Sequence, residues 1–182
     1  MLSSCRKLLA FTFILLISWL ASVAELPPPL VIPVIPKLHL LANKAGYVFS
    51  GTVKSVARIV PHEASSVPVM RITFHVDQGF LGVRSGQDLV INECIGVWQS
   101  GESYSPGERV TLFLYPPSKL GLTSPVGGMS GRFRVDPDGR IIIDPGRTVV
   151  DPPNRGPQPQ THKPIYVSPD DFARALRHAR ED

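Results

Sequence analysis

The sequence predicts an all-β fold for residues 44–144 of the 182-residue chain, in the form of a small antiparallel barrel or sandwich of five or six strands. Apolar and polar residues alternate with a period of two in several segments, as they do when successive side chains of a strand face opposite sides. Turns rich in Gly and Pro separate these segments. Closure of the sheet would remove exposed strand edges that favour aggregation.

Four strands follow from this alternation in chain order. The first begins at Tyr47, and the second, Met70 to Asp77, is the clearest because all of its apolar residues fall on one face. Asp88 to Cys94 forms the third. Arg109 to Tyr115 is apolar on both faces and is therefore predicted to be a more fully buried fourth strand.

A hairpin is predicted near the end of the domain. Arg132 to Asp136 and Arg140 to Asp144 flank the turn DPDG, in which proline fixes φ and Gly139 permits a positive φ. The preceding stretch 121–131, GLTSPVGGMSG, is predicted to be a mobile connection.

The N-terminus predicts export. Arg6 and Lys7 precede an apolar run from Leu8 to Leu20, and small residues before position 25 suit cleavage after Ala24. The run is shorter than the roughly 20 apolar residues that span a bilayer, so we expect a signal peptide (1–24) and no integral membrane segment after cleavage. The mature chain is expected in the periplasm or outside the cell.

The two flanks of the β domain are rich in proline. Residues 25–43 are predicted to be an extended N-terminal arm, and residues 145–167 a linker. One short helix is predicted at 168–182, because Ser168 is a good N-cap and Asp171 can complete a capping box. Its apolar stripe suits docking on the barrel or on a partner, with both alternatives open.

Charge and cysteine content exclude some classes of function. The formal net charge is +4, and loss of Arg6 and Lys7 would lower it to +2, with no long basic block remaining. A nucleic-acid partner is therefore not expected. Cys94 would be the single mature cysteine, so the domain must fold without an internal disulfide.

A family resemblance is carried by YVFSGTV (47–53), ITFHVDQGFLG (72–82) and SPGERVTLFLY (105–115). These segments resemble bacterial secreted domains similar to the netrin and tissue-inhibitor-of-metalloproteinase group. The resemblance implies an OB-like five-stranded barrel that binds or inhibits another secreted protein, such as a metalloprotease. Inhibitors of that group place an N-terminal cysteine on the target's zinc, whereas the predicted mature chain begins at Glu25 without one.

The sequence indicates neither a catalytic set nor a cofactor. None of its five histidines has the spacing of a metal-binding pair, so we predict no metal site. A lone Cys94 would need a histidine base brought near it by the fold, and His75 is the candidate.

Candidate binding residues are therefore surface aromatic and basic side chains. Trp98, in a predicted loop, is expected either to form an exposed patch with Tyr104 or to be half-buried at the barrel end. Arg132 and Arg134 share the polar face of the fifth strand and could engage an acidic partner. His75 lies on the polar face of the second strand.

Three functions fit this sequence. The favoured one is an exported, non-enzymatic module, inhibitor-like or accessory, that binds another secreted or envelope protein. The alternatives are a secreted hydrolase that uses Cys94 with His75, and a structural protein of the cell envelope.

Overall fold

The computed structural model describes residues 38–60, 68–99, 103–144 and 163–181. The predicted signal peptide lies outside these residues, as do most of the predicted arm and linker. The described end of the arm, residues 38–43, was predicted to be extended but is helical, because it contains none of the prolines of the preceding segment. The elements in chain order are helix α1 (Leu38–Lys44), strands β1 (Tyr47–Ile59), β2 (Val69–Leu81) and β3 (Asp88–Cys94), helix α2 (Ile95–Gln99), strand β4 (Arg109–Leu114), a 3₁₀ turn (Gly128–Gly131), strands β5 (Arg132–Val135), β6 (Ile141–Ile143) and β7 (Ile165–Val167), and helix α3 (Pro169–Glu181).

The strands form one antiparallel sheet in the order β3-β2-β1-β4-β5-β6-β7. The mostly antiparallel β prediction is confirmed. The described sheet has seven strands instead of five or six, because β7 is too short to show alternation and lies within the predicted linker. The sheet is not closed, since β3 and β7 stand at its two ends.

Both faces of the sheet are covered by apolar side chains. The inner core contains residues of all four strands from β1 to β4. It includes Phe49, Phe74 and Leu112, each fully buried. The outer core lies between the sheet and the helices, where Val48 and Phe113 meet residues of α1 and α3. Alternate residues of β1 thus enter different cores, as the pleat requires.

Helix α3 packs on the sheet of its own chain. Phe172 is fully buried, and its ring centroid lies 5.1 Å from that of Phe80 and 6.0 Å from that of Phe113. The predicted cap is present, since the Asp171 N–H donates to Ser168 Oγ over 3.2 Å and that hydroxyl donates to the Asp171 carboxylate over 2.7 Å. Of the two alternatives for the helix, the structure shows docking in cis.

The DPDG hairpin is confirmed between β5 and β6, with φ of +84° at Gly139. The stretch before it, predicted to be a mobile connection, is instead tied to the sheet. The Val126 N–H donates to Phe113 O over 2.7 Å, and the Thr123 N–H donates to Asn92 O over 2.9 Å. Val126 is buried in the outer core, which the high glycine content of this segment concealed.

Candidate functional site

A buried carboxylate organises one end of the inner core. Glu93 on β3 is fully buried, although glutamate is rarely buried without partners. Trp98 Nε1–H donates to Glu93 Oε2 over 3.0 Å, and the Tyr104 hydroxyl donates to Glu93 Oε1 over 3.4 Å. These bonds join β3, α2 and the segment before β4.

Arg132 extends this network to β5. Its guanidinium carbon lies 4.2 Å from the centre of the Tyr104 ring, and its Nη2 lies 2.6 Å from Glu108 Oε1. Only 10% of the Arg132 side chain is exposed, so the ion pair and the ring contact occupy most of its surface. The guanidinium therefore links β5 to the segment that precedes β4.

Trp98 and Tyr104 are in contact, with ring centroids 5.8 Å apart. Trp98 is half-buried and lies in helix α2, not in a loop, while Tyr104 is only 5% exposed. This arrangement corresponds to the half-buried alternative. Of the two arginines, Arg134 is exposed whereas Arg132 is held in the network.

His75 lies apart from this cluster, on the opposite face of the sheet. Its Nδ1 is 3.2 Å from Asp88 Oδ1, and Lys54 Nζ is 2.7 Å from Asp88 Oδ2. Hydrogen bonds from Lys54 and His75 lower the pKa of the Asp88 carboxyl below its usual value. All three side chains are about half exposed, so the geometry is that of a solvated sheet face.

The fold does not bring His75 and Cys94 together. The β2–β3 register places His75 opposite Asp88 and Cys94 opposite Val69. Residues 88 and 94 are six positions apart along β3, or about 20 Å at the usual rise per residue. His75 is therefore out of reach as a base for the Cys94 thiol, which needs a hydrogen-bond distance.

A second acidic group is held by the β5–β6 hairpin. Asp136 Oδ2 lies 2.8 Å from Arg140 Nε, and its Oδ1 accepts the Arg140 backbone N–H over 2.8 Å. Burial alone would raise the pKa of Asp136, but these two donors outweigh it and hold that pKa below its usual value. The same pairing raises the pKa of Arg140.

The clearest open feature of the sheet is an edge of β1. β4 pairs with β1 only from Tyr47 to Thr52, and the backbone of Val53 exchanges hydrogen bonds with Gly107 and Glu108. Beyond Val53, no strand within the described residues pairs with this side of β1. We call residues 55–59 the open β1 edge.

A bulge at Lys54 decides which amides face this edge. Val53 pairs with Phe74 and Ser55 with Thr73, so Lys54 is the extra residue and the alternation shifts by one. The amide of Val53 points toward β4. After the bulge, the amides of Val56 and Arg58 therefore point to the open edge, while that of Ala57 points to β2.

The sequence carried signals for two features that were not predicted. Glu93 is separated from Leu89 and Ile91 by an even number of positions along the strand, so all three side chains lie on the same face. This places a carboxyl group among inward-facing residues. β1 has 13 residues whereas β4 has 6, so one side of β1 must extend past its neighbour. The apolar alternation shows both strand lengths, but not that they are neighbours.

Comparison with protein-family models, with curated proteins and with solved structures gives no match to this chain. The described helices include none that is long and apolar enough to cross a membrane. Within the part of the chain that the structure describes, no group of three or more His, Cys, Asp or Glu side chains is placed to hold a metal ion. The architecture defines a mostly antiparallel β protein with docked helices, and the netrin-like relationship stays a prediction.

Proposed function

We propose that this chain is an exported, non-enzymatic protein-binding module that accepts an extended segment of another secreted or envelope protein on the open β1 edge. The observation that carries the proposal is the unpaired side of β1 beyond Val53 among the described residues. Unpaired amides and carbonyls of an edge strand bind an added strand through main-chain hydrogen bonds.

The two ends of the sheet, at β3 and β7, offer less free edge for an added strand. The outer side of β3 is bridged at Asn92 by Leu122, and the terminal strand β7 has three residues. On the open β1 edge, Ser55, Ala57 and Arg58 are all exposed. Small side chains at 55 and 57 leave room for those of an added strand, which would stand beside them.

Charge narrows the choice of partner. Arg58 is exposed, and among the described side chains no carboxylate lies within ion-pair distance of it. A charge in the middle of an edge disfavours indiscriminate strand addition. A segment with an acidic residue opposite Arg58 would gain roughly 0.2–1 kcal/mol from that cross-strand pair. We therefore propose an acidic, extended partner segment.

We also propose that the sheet curls into an OB-like, partly closed barrel. Residues 122–126 support this arrangement, because Leu122 bridges Asn92 of β3 in parallel and Pro125 bridges Leu114 of β4 in antiparallel fashion. This segment would complete a circular order of β1, β2, β3, residues 122–126 and β4. A single shared inner core across these strands fits such a curl.

The test places a photo-crosslinking amino acid at position 57 in the protein as it is exported by the cell. We expect a defined crosslinked species that contains a second exported protein. The matched control carries the same amino acid at Leu120, which is 82% exposed and lies in the loop after β4 and not on β1, and it should give no such species.

Two further variants connect the crosslink to the strand edge. Arg58→Pro removes an amide donor from the open edge and leaves the β1–β2 bonds intact, so it should abolish the crosslink. Arg58→Ala keeps that amide and should only weaken it. Equal crosslinking at positions 57 and 120, or a crosslink that survives Arg58→Pro in a folded protein, would contradict the proposal.

A further inference from the structure

A cleft of about 430 Å³ opens between the C-terminal half of α3 and the end of β2. Its apolar lining consists of Phe80, Ala173 and Leu176. Leu176 is 3% exposed, and the Phe80 ring packs against Phe172 of the outer core at an interplanar angle of 58°, so this lining is a fixed part of the packed protein. The volume falls in the range of about 300–1,000 Å³ that is typical of small-molecule sites.

Two cations stand at the mouth of this cleft. Arg177 and Arg180 are three residues apart on α3 and therefore share one helix face. Both are exposed, and neither guanidinium forms an ion pair with any described side chain. Gln78 of β2 also lines the cleft, and Glu181 is the one acid among the described residues that line it.

From this combination we infer that the cleft binds a small amphipathic monocarboxylate. An apolar body would cover the accessible surface of Phe80 and Ala173, and the carboxylate would accept hydrogen bonds from the planar guanidinium forks. Among the described residues that line the cleft, two arginines and one glutamate give a net charge of +1, which matches a single carboxylate better than a multiply charged phosphate.

The cleft is separate from the open β1 edge. Gly79, which lines the cleft, pairs with Phe49 of β1, six positions before Ser55, or about 20 Å along the strand. The inference therefore does not depend on the proposed function, and each can fail alone.

The test is calorimetric titration of the purified protein with decanoate. We expect saturable one-site binding, which acetate, lacking the apolar body, and decanol, lacking the charge, should not reproduce. A short apolar peptide with a free C-terminus serves as a second carboxylate probe, and its amidated form should bind at least about tenfold more weakly because the charged hydrogen bonds are lost. Tighter binding of decanoate would indicate a lipid-like acid as the source of the carboxylate, and tighter binding of the free peptide would indicate a protein C-terminus.

Variants on one helix locate the site. The double change Arg177→Ala with Arg180→Ala should weaken decanoate binding about tenfold or more, and Glu181→Gln should tighten it. Arg174→Ala is the matched control, because Arg174 pairs with Asp171 away from the cleft and its loss should leave the affinity unchanged. Absence of saturable decanoate binding, equal binding of decanol, or an unchanged affinity in the double variant would overturn the inference.

Discussion

Two oxygens of one buried side chain hold three segments of the chain together. Glu93 accepts hydrogen bonds from Trp98 and Tyr104 and has no exposed surface. A buried donor that is left without its acceptor costs free energy, so both aromatic side chains depend on this carboxyl group. This network explains why two aromatic side chains that could have formed a surface patch are turned inward.

We predict that Glu93→Gln lowers the free energy of unfolding by roughly 1–3 kcal/mol, because the amide offers one acceptor oxygen in place of two. Urea unfolding measures this loss. In a chain that begins after residue 24, Trp98 is the only tryptophan, so its fluorescence should also change in the folded state.

The matched control is Asp138→Asn in the turn of the β5–β6 hairpin, outside this network. The Asp138 side chain is 74% exposed and pairs with Arg140, and an exposed pair of this kind should contribute no more than about 1 kcal/mol. Equal losses for the two variants would show that burial of Glu93 does not set its contribution.

Asp136 predicts a pH dependence. Its pKa is lower in the folded protein than in the unfolded chain, so its ionised form stabilises the fold above the unfolded pKa, and this contribution is lost as the pH falls through the folded pKa. The difference in unfolding free energy between the wild type and Asp136→Asn should therefore be constant near neutral pH. It should shrink as the pH falls below about 4. Denaturant titrations across this pH range measure the unfolding free energy of both proteins. An equal pH dependence for the wild type and Asp136→Asn would contradict this role of Asp136.

At the level of the element, the segment before β5 shows how glycine permits close backbone contact. A Cβ on Gly131 would lie 2.5 Å from Val126 O and 3.1 Å from Phe113 O, both backbone atoms of ordered segments. Because Gly131 has only a hydrogen in place of a side chain, residues 124–126 can lie against β4.

We predict that Gly131→Ala destabilises the protein by about 1–3 kcal/mol, since backbone atoms must move to admit the methyl group. Thermal unfolding monitored by circular dichroism measures it. Gly96→Ala is the control, because a Cβ there meets no atom nearer than Cys94 Sγ at 3.8 Å. In helix α2 this change should be neutral or stabilise by up to about 1 kcal/mol, and a loss like that of Gly131→Ala would contradict the packing argument.

The elements that sequence reasoning found are those with a long local pattern. β2 shows the period of two over the seven residues from Met70 to Val76, and α3 has both a cap and an apolar stripe. β7 and α2 were missed because three and five residues cover little more than one repeat of a strand or helix pattern, which is too few to establish a period. The place of His75 on a polar face was predictable for the same local reason.

At the scale of the whole molecule, what could not be read from the sequence is which elements are neighbours. The pairing of β1 with β4 joins residues about 60 positions apart, and no local pattern encodes it. The distance between His75 and Cys94 is set by the β2–β3 register, but the burial of Tyr104 depends on this non-local pairing. So does the open β1 edge, which exists only because a short strand lies beside a long one.

The sheet also explains how one chain can offer separate surfaces. Phe172 of the outer core ties α3 to the sheet. Glu93, at one end of the inner core, ties α2 to β3. The open β1 edge and the cleft beside α3 lie at different ends of β1. A partner strand and a small carboxylate could therefore bind without contact.

The open β1 edge can be tested directly by amide hydrogen exchange measured by NMR in the free protein. We predict rapid exchange at Val56 and Arg58, whose amides face the edge, and slow exchange at Ala57, whose amide faces Arg71 of β2. Protection of Val56 and Arg58 as strong as that of Ala57 would mean that the edge is already paired, and would contradict the account of this protein as a strand-binding module.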